Sequence, residues 1–90
     1  MLTILEEFCP KGYHYLKGQA HEEHRINNGI LLPLEKCASK CKDNKECNSF
    51  EHNFFDDHCI LNRIAHPNRI KQKEYGFCSK QGNYSSTVQF

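Results

Sequence analysis

The chain has 90 residues, with 12 Lys and Arg against 11 Asp and Glu, a formal charge of +1. That length holds one domain, and the near-zero charge gives no bulk electrostatic case for a nucleic-acid partner. No apolar run approaches the roughly 20 residues of a transmembrane helix, so membrane insertion is not expected.

Met1 to Leu5 is apolar but too short for the core of a signal peptide, and Glu6 and Glu7 follow at once. Residues 1–8 are therefore expected to be an N-terminal extension. Gly12 to Leu16 carries Tyr13 and Tyr15 in alternation and predicts a short strand. Lys17 to Gly29 is polar, ends in Asn28-Gly29 and predicts a loop, followed by a short strand at Ile30 to Leu32. From Pro33 to Asn44, Leu34, Cys37, Ala38 and Cys41 fall at i, i+3, i+4 and i+7, one face of a helix. Pro33 suits the first helical turn, where its missing N–H costs nothing. Asn48 to Phe54 and His58 to Ile64 predict two strands joined by a turn at Phe55-Asp56-Asp57, and Glu74 to Cys78 predicts a last strand. The Gly/Ser/Asn-rich residues 81–90 are expected to form a flexible tail. Together these elements predict an α+β domain, one α-helix packed on a small antiparallel β-sheet.

A core this small is marginal by itself. Small domains make up the deficit with disulfides, a metal or a partner. An even set of six cysteines, Cys9, Cys37, Cys41, Cys47, Cys59 and Cys78, predicts a disulfide framework in an oxidising compartment. Six cysteines allow fifteen pairings, among which spacing does not choose. A zinc cluster would favour paired CxxC and histidine spacings that this sequence lacks.

Catalytic chemistry finds little support. His21-Glu22-Glu23-His24 resembles a ligand cluster but lacks the HExxH order of a metalloprotease. No metal, cofactor or catalytic residue is expected. Asp56-Asp57-His58 suits a solvated turn. No GxSxG or Gly-rich phosphate loop occurs, and a cysteine nucleophile would need a free thiol.

The ordered set Cys9-Pro10-x-Gly12, Cys37-Ala38-x-x-Cys41, Cys47-Asn48-Ser49-Phe50-Glu51, Cys59-Ile60-Leu61-Asn62 and Tyr75-Gly76-Phe77-Cys78 resembles the PAN/apple family over residues 9–80. The resemblance implies a three-disulfide fold with nested pairs Cys9–Cys78, Cys37–Cys59 and Cys41–Cys47. Taken singly, loops of these lengths give about 4, 3 and 2 kcal/mol in the chain-entropy account. The resemblance also implies a non-enzymatic recognition module, secreted or extracellular, that binds a protein or carbohydrate. Such a module is expected to be part of an adhesive or matrix protein. The alternative is a free-standing secreted effector, a toxin or adhesion inhibitor, on the same scaffold. With no signal peptide visible, the expectation is a domain of a larger secreted protein or an incompletely read gene.

Three features bear on the partner. Arg63, Arg69, Lys71 and Lys73, with Lys36 and Lys40 of the helix, are a candidate site for a polyanion such as a sulfated glycan. Phe54 and Phe55 cannot both face inward on an alternating strand, so one is expected to be an exposed anchor. Asn83-Tyr84-Ser85 is a candidate N-glycosylation site.

Overall fold

The helical spacing of Leu34, Cys37, Ala38 and Cys41 becomes helix α1, Leu34–Lys42, in a computed structural model that describes residues 8–70 and 74–80. Pro33 stands one position before the helix, as its N-cap, and its carbonyl accepts the Cys37 N–H at 2.9 Å. The helix stops two residues before Asn44 because Asp43 takes the C-cap, its N–H turned to Ser39 O at 3.0 Å. Lys40 and Lys42 occupy the last turn, where positive charge complements the helix dipole. Cys37, Ala38 and Cys41 are buried, and Leu34 is half-buried against the same core.

Five strands, β1 (Tyr13–Leu16), β2 (Ile30–Leu31), β3 (Ser49–Asn53), β4 (His58–Asn62) and β5 (Tyr75–Lys80), form one sheet in the order β1-β5-β3-β4-β2. Every neighbouring pair is antiparallel. The structure is thus one α-helix packed on an antiparallel sheet, the α+β arrangement that the sequence predicts. Each strand differs from the expected one by one or two residues at one end or both, and at two of these ends the reason is identifiable. Strand β3 ends at Asn53, before Phe54, because the turn to β4 starts there: the Asp57 N–H donates to Asn53 O at 2.8 Å. Strand β5 runs on to Lys80 because β1 pairs with it as far as Tyr13↔Lys80.

Register divides the sheet into two unlike faces. Phe50 lies between Leu61 and Cys78 and faces α1. Tyr13 packs edge-on against Phe50, ring centroids 4.9 Å apart, and its hydroxyl donates to Ala38 O at 2.7 Å. Burial, reinforced by the charge of Asp43, pushes the Tyr13 pKa up to about 12, so this hydroxyl stays a donor. Phe8 lies over Gly76 of β5, filling the space a Cβ there would need.

The opposite face carries Ser49, Glu51, Ile60, Asn62, Phe77 and Ser79, all buried. Gln19 and Ala20 cover it, with Asn68 and Arg69 bonded to the Gln19 backbone. The supposed loop of Lys17 to Gly29 therefore has a structural task. Its first part roofs the polar face, and its second part follows the open edge of β4, where the Ile26 N–H donates to Leu61 O at 2.7 Å. Between them lies a single 3-10 turn, Glu22–His24.

Three bridges join these parts. Cys9–Cys78 ties the start of the described chain to β5, Cys37–Cys59 ties α1 to β4, and Cys41–Cys47 closes the loop between α1 and β3. Their Cα–Cα distances are 5.6, 5.7 and 5.2 Å. All six cysteines are paired.

Packing around α1 makes an expected result. Ala38, 7% exposed, lies against the sheet between the half-cystines. Ala38→Leu should cost about 1–3 kcal/mol by overpacking. Lys40→Ala, on the exposed side, should stay within about 0.5 kcal/mol. Urea unfolding of the two variants measures the difference, and equal midpoints would mean that α1 is seated differently.

Candidate binding surfaces

Where the last turn of α1 meets β2 and β4, the chain leaves an open groove of about 660 Å³. Its floor is apolar, made by Ile30 of β2 and Leu61 of β4. Its rim is polar and of both signs: Lys40, Asp43, Lys45 and Glu46. Apolar surface with a few convergent polar groups is the usual composition of a binding site.

The rim is held in place by the surrounding backbone. Asn27 acts as a short piece of strand beside β4, its Nδ2 donating to Cys59 O at 3.1 Å and its Oδ1 accepting from the Leu61 N–H at 2.7 Å. Gly29, at φ +110°, turns the chain from there into β2. On the other side, Asn44 Oδ1 accepts the Glu46 N–H at 2.9 Å, and Lys80 Nζ donates to Asn44 O at 3.3 Å. Burial lowers the pKa of Lys80. The Cys41–Cys47 bridge closes the same loop covalently.

The basic residues singled out from sequence are spread over the fold. Lys36 and Lys40 are exposed on α1, and Lys40 borders the groove. Arg63 follows β4; its Nε lies 3.7 Å from Glu46 Oε1, and its Nη1 donates to Arg25 O at 2.9 Å. Arg69 is exposed beside His21, Glu22 and Glu23, and its backbone is bonded to Gln19, which covers the face opposite α1. The structure thus does not bring Arg69 to Lys36 and Lys40, because the segment carrying it crosses the far side of the sheet. Lys71, Lys73 and Asn83 lie outside the described residues.

The other sequence candidates are placed as follows. His24 Nε2 is 3.5 Å from Glu23 Oε2, and His21 precedes the 3-10 turn. Among the described residues, no group of three or more His, Cys, Asp or Glu side chains is arranged to hold a metal ion. Asp56 and Asp57 form the β3–β4 turn, and His58 Nδ1 lies 2.8 Å from the Tyr75 hydroxyl. Phe54 and Phe55 are both exposed, at 53% and 75%, rather than one inward and one outward, because both fall in the turn.

Sequence reasoning missed the groove itself. Asn27 and the Lys45-Glu46 pair come from segments far apart in the chain, and no local motif marks them. The Asn27-Asn28-Gly29 run signals a turn, but its pairing with β4 needs the tertiary fold.

The sequence profile of the PAN domain matches residues 12–83. No curated protein and no solved structure matches the chain. With the profile spanning most of its length, and with one helix on a five-stranded sheet held by three bridges, the chain belongs to the PAN domain family, whose members are non-catalytic modules that bind proteins or carbohydrates.

Proposed function

We propose that this PAN domain is an extracellular recognition module of an adhesive or matrix protein, and that it takes its partner into the groove at the end of α1. The observation that carries this is the groove itself, an apolar floor of Ile30 and Leu61 under a rim of Lys40, Asp43, Lys45 and Glu46. Three disulfides require an oxidising compartment to persist, and PAN domains commonly occur in secreted proteins. The folding unit would be residues 9–80, between an extension at 1–8 and a tail at 81–90 in which Asn83 would accept a glycan.

A rim of mixed charge suits a polar ligand that brings both donors and acceptors. If the partner is a sulfated glycan, Lys36, Lys40 and Lys45 give it the positive side, and Arg69 stands apart on the far side of the sheet. The test is a glycan array with sulfated and unsulfated chains, together with capture of candidate extracellular proteins by the refolded domain. Ile30→Asp combined with Lys40→Glu should weaken any ligand found by about tenfold or more, the loss of roughly 1.4 kcal/mol. Undiminished binding would exclude the groove. On a heparin column, Lys36→Ala with Lys40→Ala should shorten retention. Loss of retention only on replacing Arg69, Lys71 and Lys73 would move the sulfated-glycan site away from α1.

A further inference from the structure

The turn after β3 carries two exposed phenylalanines where hairpin turns ordinarily use Gly, Asn, Asp, Ser or Pro. Phe54 and Phe55 have ring centroids 5.0 Å apart and planes 44° from parallel, forming a wedge rather than one flat stacking face. Phe8 extends the aromatic surface inward, edge-on to Phe54 at 6.0 Å. Leu31, 71% exposed, stands on edge strand β2 opposite His58, beside the same turn.

The wedge is built on a fixed platform. The Phe55 N–H donates to Asn53 Oδ1 at 2.8 Å, the His58 N–H to Asp56 Oδ1 at 3.1 Å, and the Leu32 N–H to Asp57 O at 2.8 Å. Asp57 adopts φ +58°, a conformation that Asp and Asn tolerate better than most residues. Side chains presented on an already ordered backbone lose less freedom on binding, which is the advantage of preorganisation. Aromatic anchors are the residues that most often dominate interface energies.

The charge around the wedge selects the partner. Asp56 and Asp57 follow the rings in the same turn, Asp57 Oδ1 lying 3.6 Å from the buried His52 Nε2 with its side chain still 56% exposed, and the segment from Glu51 to Asn62 carries no Lys or Arg. We propose that this turn is a second interaction surface, distinct from the groove, which inserts Phe55 into an apolar pocket of a protein partner rimmed by Lys or Arg. The two acids oppose an anionic bilayer and complement a cationic rim.

The test uses synthetic peptides with a central Leu-Trp-Leu flanked on both sides by Arg, and the same peptides flanked by Glu, titrated against the disulfide-bonded domain. The unmodified domain should prefer the Arg-flanked set by at least about tenfold. Phe55→Ser should reduce that affinity about tenfold. Asp56→Asn with Asp57→Asn keeps the turn acceptors and the tolerance for positive φ, and should erase the preference between the two sets. Non-reducing peptide mapping confirms that each variant keeps the three bridges. No preference, or a preference indifferent to Phe55, overturns the proposal. So does a Phe55-dependent association with phosphatidylcholine–phosphatidylserine vesicles, with a second copy of the domain in sedimentation velocity, or with a glycan array in place of the peptides.

Discussion

Reducing the three disulfides should unfold this domain at moderate temperature, and removing the Cys37–Cys59 bridge alone should already be severe. The reason lies in what fills the space between α1 and the sheet. The buried cluster there consists of Ala38, Phe50 and Leu61 together with the half-cystines Cys37, Cys41, Cys47, Cys59 and Cys78. Sulfur is thus core material as well as cross-link. Cys37→Ala with Cys59→Ala removes packed volume, frees α1 from β4 and lengthens the unfolded chain's conformational reach. Loss of a native bridge from a small secreted-type domain costs about 2–5 kcal/mol. A chain of this size has a total margin of only about 5–13 kcal/mol. At roughly 4–8 °C per kcal/mol, the melting temperature of the double variant should fall by at least about 10 °C. Calorimetry of the variant, and of the unmodified domain with and without reductant, measures both effects. A cooperative transition that survives full reduction unchanged would show that the apolar groups suffice without the bridges.

Glu51→Leu should be nearly as damaging, although Glu51 is the kind of residue usually found at a surface. It sits at the middle of the central strand with no exposed surface. Its carboxyl accepts three hydrogen bonds, from Gln19 Nε2 at 2.7 Å, the Ala20 N–H at 2.9 Å and Asn62 Nδ2 at 3.1 Å. Those donors belong to the covering segment and to β4, so one side chain joins the roof to the sheet. Leucine fills similar volume but takes away the acceptor of all three bonds; the Ala20 N–H loses its partner, and Asn62 Nδ2 keeps only Ser49 Oγ at 3.2 Å, each buried donor left short being worth about 1–3 kcal/mol. Allowing for relaxation and water entry, the expected loss is about 3–5 kcal/mol. Glu51→Gln tests the mechanism. Its carbonyl can replace Oε2, and a flip of the Gln19 amide can answer the new NH₂, so the cost should drop to about 1–2 kcal/mol. Equal losses for Leu and Gln, read from urea midpoints, would argue against the hydrogen-bond account. Hydrogen exchange should show the Ala20 amide losing protection in the Leu variant first, because the roof is attached there.

These two results separate what is legible in a chain of this kind from what is not. Helix α1 was legible because its burial is one-sided. Leu34, Cys37, Ala38 and Cys41 repeat at helical spacing, and the lysines between them face water. The hairpin of β3 and β4 was legible because Asp56-Asp57 interrupts two strand-like runs. The ordered cysteine segments carried the family resemblance, since a framework of this kind constrains residue order more than composition does.

Strand β3 was not legible in the same way. Ser49-Phe50-Glu51-His52-Asn53 has the alternation of a strand with one wet face, yet all five residues are buried. Alternation reports which side chains are apolar, whereas burial depends on what lies above them. Here Gln19 and Ala20 roof the polar side and donate to the Glu51 carboxylate. The basic residues show the same limit. Arg63 and Arg69 are six positions apart, but one meets Glu46 beside the groove while the other lies across the sheet from α1. Legible along the chain were one helix on a small antiparallel sheet, a framework of six cysteines, and a binding role through the family resemblance. Tertiary structure alone decided that Glu51 is a buried anchor, that Phe54 and Phe55 both face solvent, and that Lys40, Lys45 and Ile30 share a groove. Local patterns record spacing along one element, while these arrangements depend on register and on contacts between segments that are distant in the chain.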